Sequence, residues 1–199
     1  MTARVLVTGF EPFAGSDDNP SRRIARALEV DPPTGIELTT GLLPVTWAGA
    51  WPALSELLSA CNPDLVLLLG QSGKRSSVTV ERFALNFGQG RIADNAGVQR
   101  PPSALVDGAP LALASTIDVD GAVAAMSARG IPAAASHDAG AFLCNAVLYS
   151  ALLHAAAGQR AGFIHVPMLP GQKGAGDAEP TMDARQSEAA VRAAIAALL

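Results

Sequence analysis

DLVLLLG, residues 64–70, places five consecutive apolar residues (Leu65 to Leu69) between an aspartate and a glycine. A short unbroken apolar run is typical of a strand that is covered on both faces. Such strands occur in parallel sheets with helices packed on either side. The stretch therefore predicts a central strand of an α/β protein.

Segments on either side of this run alternate between strand-like and helix-like patterns. Apolar or alternating runs predict further strands at residues 4–8, 36–43, 77–87, 131–136 and 161–166. Helical spacing predicts helices at residues 47–60, 121–129 and 140–157. A further helix begins at Asn19-Pro20 and ends before Pro32, and a last one, capped by Thr181, reaches the C-terminus. Alternating strands and helices need crossover connections. We therefore predict a three-layer α/β/α sandwich, formed by residues 1–199 as a single domain, with a mostly parallel, twisted central sheet flanked by helices.

Functional residues of such a sheet usually lie at the carboxyl ends of its strands. We expect the site in the loops that follow Thr8, Leu69, Phe87, Ser136 and Val166. Residues 171–180 are predicted to form a further, glycine-rich loop.

Composition and charge exclude several classes of protein. Hydrophobic residues make up 49% and charged residues 16%, which is typical of a globular chain and not of a disordered one. A net charge of −4 without long runs of one sign provides no basic surface for nucleic acid or an anionic membrane. The N-terminal residues match no secretory signal, and no stretch approaches the roughly 20 apolar residues that span a bilayer. We expect a cytoplasmic protein.

The two cysteines, Cys61 and Cys144, do not have the CxxC spacing of a metal site, and a lone disulfide is atypical of a reducing compartment. With no dinucleotide or phosphate-binding motif either, we expect no metal and no cofactor. Cys61 ends a predicted helix, away from the carboxyl ends of the strands, which favours a structural role. Cys144 lies near the start of the 140–157 helix, where the helix dipole favours a thiolate and backbone N–H groups can hold an oxyanion. The alternative for Cys144 is a buried, structural cysteine.

A histidine and a carboxylate occur where they can complete a site with this thiol. His165 lies near the carboxyl end of an apolar strand, and His137 in a loop is an alternative base. His154 is ten residues after Cys144, about 15 Å along a helix, and is too far away. In an extended 77–87 segment, Glu81 shares a face with Thr79, Phe83, Leu85 and Phe87, and a carboxylate buried there needs a partner such as a histidine N–H. A solvated Glu81 on an edge strand is the alternative.

Three separated blocks resemble one known family. They are VLVTGFEPFAGSDDNPSRRIA (5–25), GQSGKRSSVTVERFALNFGQGRIADNAG (70–97), and SHDAGAFLCN with GFIHVPMLP (136–145 and 162–170). In order and spacing they are similar to the pyroglutamyl-peptidase I (pyrrolidone carboxyl peptidase) family. The resemblance implies a cysteine peptidase that releases pyroglutamate from the N-terminus of peptides, and a homotetramer or other homo-oligomer.

The resemblance also implies roles for particular residues. Cys144 is the implied nucleophile, His165 the base, and Glu81 the residue that orients the imidazole. The implied substrate pocket takes a flat, uncharged lactam, and its residues are Phe10, Phe13, Asn19, Gln71, Arg91, Ile92 and Phe142. Asn19 has a competing structural role as a helix cap. The role of Arg91 stays open between binding a peptide carbonyl, polarising the site and pairing with Asp94.

The chain departs from the family pattern at Ala14, Lys74, Ala93, Met168 and Gly171. At the first two positions glycine is usual, and all five lie in loops. These departures leave the three reacting side chains in place. The competing interpretations are a thiol amidase for another small lactam or amide, and a catalytically silent homologue that binds pyroglutamyl peptides.

Overall fold

The structure is a computed structural model that describes residues 2–173 and 180–199. The predicted loop at 171–180 therefore falls largely outside the described residues. The strands are β1 (Ala3–Phe10), β2 (Ile36–Leu43), β3 (Leu65–Ser72), β4 (Val78–Glu81), β5 (Phe83–Leu85), β6 (Ala112–Ala114), β7 (Ala133–Ser136) and β8 (Arg160–Pro167). The helices are α1 (Pro20–Val30), α2 (Ala50–Cys61), α3 (Val119–Ser127), α4 (Leu143–Leu153) and α5 (Ala184–Leu198).

Six strands form the central sheet, in the order β2-β1-β3-β8-β4-β7. Strands β2, β1, β3 and β8 are parallel to one another, whereas β4 is antiparallel to β8 and parallel to β7. Helices cover both faces, so the predicted α/β/α class with a mostly parallel sheet is confirmed.

The run 65–69 is buried on both faces of the sheet, as predicted. Leu65, Leu67 and Leu69 pack into one apolar cluster, together with residues of α1, α3 and α5. Val66 and Leu68 pack into the other, together with residues of α2 and α4. Alternate side chains of one strand thus hold helices on opposite sides of the sheet, because successive residues of a strand point to opposite faces.

The predicted continuous strand at residues 77–87 is wrong. The chain breaks at Arg82, whose carbonyl accepts a hydrogen bond from the Ser115 N–H and whose side chain pairs with Asp120. Only β4 stays in the central sheet, while β5 pairs with β6 in a separate two-stranded sheet. Glu81 is consequently buried, whereas Phe83 is 38% exposed, so these residues do not share one face as predicted.

Strand direction corrects the reason given for the position of the site, although the segments after Thr8, Leu69, Phe87 and Ser136 do line one cleft, as predicted. Because β4 and β7 run antiparallel to β8, their carboxyl ends lie at the opposite edge from the end of β8. The loops after β1, β3 and β8 are at the predicted edge, but β4 brings its amino end there. The segment after Ser136 reaches the site by returning across the sheet into α4.

Helix ends agree with the sequence in one case and differ in another. Asn19 caps α1 as predicted, since its side chain accepts a hydrogen bond from the Ser21 N–H. The cap of α5 is Asp183 and not Thr181, because the Asp183 carboxylate accepts from the Arg185 N–H. Helix α4 begins at Leu143, three residues later than predicted, and this places Cys144 in its first turn.

Candidate active site

Cys144 is the second residue of α4, and no side chain among the described residues caps this end of the helix. The backbone N–H groups of the first turn are therefore available to an anion. The thiol lies against β3 at Gly70, where an added Cβ atom would be 2.9 Å from the sulfur and 2.6 Å from the Phe163 ring. Only glycine lets the helix and the sheet approach this closely. The sequence signal for this role was the glycine that ends the 65–69 run.

His165 lies on the central strand β8, paired in register with Gly70, and is 5% exposed. Its Nδ1 is 2.8 Å from Oε1 of Glu81. Burial by itself lowers the pKa of His165, but the charge and hydrogen bond of Cys144, and then those of Glu81, raise it from 6.5 to about 9. The imidazole therefore holds its proton near neutral pH, next to the Cys144 sulfur.

Glu81 is fully buried at the end of β4. Burial raises its pKa, but hydrogen bonds and charge from His165, with further hydrogen bonds from Ser136 and Arg75, lower the pKa below its usual range. The carboxylate is thus charged at neutral pH and accepts the His165 Nδ1–H. The buried, paired carboxylate was predicted correctly, although the reasoning from a continuous strand was wrong.

Arg75 is a neighbour of this group that the sequence reasoning did not single out. Its Nη1 donates to Glu81 Oε1 at 2.5 Å and contacts Thr79, and its Nη2 donates to the Asp138 carbonyl oxygen at 2.7 Å. One guanidinium therefore joins the β3–β4 loop, the buried carboxylate and the segment that leads into α4. The available signal was a basic residue six positions before Glu81.

A cleft of about 510 Å³ opens above the thiol and the imidazole. Cys144 and His165 line it, together with the predicted residues Phe13, Gln71, Arg91, Ile92 and Phe142. A narrow apolar slot adjoins the cleft and also reaches Cys144. Phe10 and Asn19 line this slot. Three residues line both the slot and the cleft, namely Phe13, Gln71 and Phe142. The structure thus brings every predicted pocket residue to the cleft or the slot, and Glu81 lies behind His165.

The structure narrows the possible roles of two pocket residues, Asn19 and Arg91. Asn19 does cap α1, and its Nδ2 donates to the Glu11 carbonyl at 3.0 Å, so it also holds the loop that borders the slot. Arg91 does not pair with Asp94, whose carboxylate accepts instead from backbone N–H groups, including those of Trp47 and Val98. Arg91 is an exposed cation at the cleft.

The remaining histidines and Cys61 lie away from the thiol of Cys144. The His137 ring packs near Phe83, with centroids 6.0 Å apart, and it does not line the cleft. His154 Nδ1 is 2.9 Å from the Ser150 carbonyl oxygen, at the far end of α4. The Cys61 thiol donates to the Leu57 carbonyl at 3.1 Å, which agrees with the predicted structural role.

Among residues 2–173 and 180–199, no three or more His, Cys, Asp and Glu side chains come together as a metal site. Within the same residues, no helix has the length and apolar character needed to span a membrane.

Comparison with known proteins agrees with this arrangement. The sequence profile of the pyroglutamyl peptidase family matches residues 3–199. The chain belongs to the pyroglutamyl peptidase family. A pyrrolidone-carboxylate peptidase of Klebsiella pneumoniae is 41% identical over 199 residues, covering 99% of this chain and 93% of the relative. One of Streptomyces coelicolor is 46% identical over 173 residues, covering 85% and 80%.

Solved structures of this peptidase family have the same fold. A point mutant of the pyrrolidone carboxyl peptidase from Pyrococcus furiosus superposes with a TM-score of 0.93 at 37% identity, covering 98% of this chain and 97% of the other. Pyroglutamyl peptidase I of Bacillus amyloliquefaciens gives a TM-score of 0.93 at 29% identity, covering 98% and 96%. The family resemblance inferred from the sequence is therefore confirmed over nearly the whole chain.

Two of the positions expected to depart from the family pattern have visible structural features. Ala14 has φ of 53°, a left-handed conformation that is unfavourable for any residue with a Cβ. Lys74 is exposed and lines the cleft. The first affects the loop that carries Phe13, and the second adds a positive charge beside the cleft.

Proposed function

We propose that this chain hydrolyses the amide bond after an N-terminal pyroglutamyl residue, with Cys144 as nucleophile, His165 as general base and acid, and Glu81 as the residue that orients the imidazole. The observation that supports this most directly is that Cys144 and His165 line one cleft, with the imidazole hydrogen-bonded to the buried Glu81 carboxylate, beside an apolar slot that also reaches Cys144. Membership of the pyroglutamyl peptidase family supports the same reaction.

The chemistry follows from the positions of these groups. At neutral pH the proton shared between the two groups already resides on His165, and the Cys144 sulfur attacks the pyroglutamyl carbonyl carbon. Backbone N–H groups in the first turn of α4 stabilise the resulting oxyanion. The imidazolium then donates its proton to the leaving amine, and the C–N bond breaks to give a thioester on Cys144. Water, deprotonated by His165, hydrolyses the thioester and releases pyroglutamate.

The slot suits the lactam ring of the substrate. Phe10, Phe13 and Phe142 provide an apolar surface for a flat ring, and Ile92 borders the entrance from the cleft. Gln71 provides a polar group for the lactam amide, and Asn19 holds the loop that shapes the slot. Apart from Cys144, the described side chains that line the slot carry no charge, which favours the uncharged lactam over a free glutamate or a prolyl amine. We expect Arg91, which is exposed and lines the cleft, to contact a carbonyl of the leaving peptide.

We also propose the setting in which the enzyme works. The reactive thiol requires reducing surroundings, which supports a cytoplasmic location. Residues 1–199 act as a single domain, and we expect a homo-oligomer, with a tetramer as the first hypothesis. Support for assembly comes from apolar side chains exposed on and beside β5, namely Phe83, Leu85 and Phe87. Light scattering coupled to gel filtration measures the assembly state, and a monomer at micromolar concentration contradicts it.

A chromogenic amide assay tests the reaction and its nucleophile. We expect turnover of a pyroglutamyl anilide, but not of the matching prolyl or glutaminyl anilides. Activity is lost in Cys144→Ser and after thiol alkylation, whereas Cys61→Ser, the matched control at the other free cysteine, stays active. A folded, reduced wild type that cleaves none of the three substrates rejects the proposed function, and turnover of a different small amide favours the amidase alternative.

A further inference from the structure

Gln172 is a buried glutamine whose amide orientation is fixed by its neighbours. It lies in the loop after β8, and its Oε1 accepts a hydrogen bond from the Leu169 N–H at 3.0 Å. Its Nε2 donates to the Asp18 carbonyl oxygen, also at 3.0 Å. A backbone N–H only donates and a carbonyl oxygen only accepts, so both contacts require the same orientation of the amide.

The orientation of Gln172 determines that of Gln71. Gln172 Nε2 donates to the Gln71 amide at 2.8 Å, so the atom that Gln71 presents must be its acceptor, Oε1. Gln71 Nε2 then lies on the other side of the amide. Among residues 2–173 and 180–199, no hydrogen bond involves this Nε2 of Gln71. Since Gln71 borders both the cleft and the slot, it offers them N–H donors and not its acceptor.

We propose that Gln172 is a positioning residue for substrate specificity, which holds Gln71 so that its amide N–H groups donate to the lactam carbonyl oxygen of the pyroglutamyl ring. This inference rests on the proposed function. The lactam has one strong acceptor, its C=O, and one donor, its N–H, and the fixed Gln71 matches only the acceptor. A prolyl ring has no oxygen at that position and leaves the Gln71 donors unpaired, which is costly at a buried site.

The network is in place before substrate binds. Gln172 is 6% exposed, and its Nε2 is also 3.1 Å from Oγ of Ser16 in the loop after β1. Gln71 lies near the end of β3. Two loops, which follow β1 and β8, thus hold the Gln71 amide at the end of β3 in one orientation, and binding need not order it.

The test compares a pyroglutamyl anilide with its 5-thioxo analogue, whose C=S group is a weaker hydrogen-bond acceptor. We expect wild type to prefer the oxo substrate by roughly tenfold in kcat/KM, the value of one ordinary hydrogen bond. In Gln172→Glu the new carboxylate accepts but does not donate, so Gln71 turns its N–H groups away from the slot. Oxo turnover then falls about 100-fold, mainly through KM, and the oxo preference approaches one.

Two further variants separate this role from a structural one. Gln172→Met keeps the buried volume but releases Gln71, and the oxo preference again falls towards one. Gln186→Glu, the same change at an exposed position on α5, leaves the preference unchanged. If folded Gln172→Met and Gln172→Glu lose rate equally on both substrates, Gln172 has only a structural role and the proposal is overturned. If wild type turns over neither the oxo nor the thioxo substrate, the proposed function itself is rejected.

Discussion

Replacing Glu81 by glutamine removes a buried charge and leaves the volume of the side chain unchanged. The raised pKa of His165, about 9 against 6.5, corresponds to roughly 3 kcal/mol in favour of the protonated ring. Cys144 contributes the larger part and Glu81 the rest. We therefore expect Glu81→Gln to move the alkaline limb of the pH profile of kcat/KM from near pH 9 to lower pH, by about one unit.

The same change misorients the imidazole, because a glutamine can present its N–H group to Nδ1. Loss of an orienting carboxylate lowers kcat by about 10⁴-fold in serine-protease triads, and we expect a fall of at least 100-fold here. The assay is hydrolysis of a pyroglutamyl anilide between pH 5 and 10. Glu56→Gln, an exposed carboxylate on α2, serves as the matched control.

The pH dependence of stability provides an independent check on the same pair. A group whose pKa is raised by folding stabilises the protein fully below its unfolded pKa, and this contribution is lost as pH rises through the folded value. The His165 contribution is therefore lost between about pH 6.5 and 9. In Glu81→Gln this loss is smaller and ends at lower pH. If the alkaline limb of the pH–rate profile and the pH dependence of stability are both the same in Glu81→Gln as in wild type, Glu81 is not coupled to His165 and the reasoning is refuted.

Two predictions concern the scaffold around the site and are measured by thermal unfolding. Ala14→Gly relieves the strain of an alanine in the left-handed conformation and stabilises the protein by up to about 1 kcal/mol, which raises Tm by about 2–4 °C. Ala128→Gly, the control at a right-handed position, lowers Tm. A lower Tm for Ala14→Gly contradicts the strain. Asn145→Ala removes buried hydrogen bonds to both backbone groups of Leu85 and costs about 2–4 kcal/mol, while Asn95→Ala, an exposed control, costs under 1. Equal losses for the two asparagines contradict the tethering role of Asn145.

Local patterns accounted for the layer architecture and for the choice of Cys144, His165 and Glu81 as candidate reacting groups, whose roles the family resemblance then implied. The apolar run at 65–69 is buried on both sheet faces, and Cys144 lies in the first turn of a helix, as periodicity and composition predicted. These features could be inferred because strand and helix periods and helix ends depend on residues close together in the sequence. The pocket residues came from the family resemblance, and their grouping in space agrees with it.

Contacts between distant residues could not be inferred in this way. Nothing local indicated that β4 reverses direction, that Arg82 breaks the 77–87 segment, or that β6 pairs with β5, because strand partners are selected by tertiary packing.

The hydrogen bonds of the site also join residues that lie far apart in the sequence. Gln71 and Gln172 are 101 residues apart, and Arg75 reaches a carbonyl 63 residues away. Amino-acid order established which chemical groups this protein has and which elements carry them. Their orientation, including the direction of the Gln71 amide and the charge state of the His165–Glu81 pair, depends on burial and on partners that only the folded chain brings together.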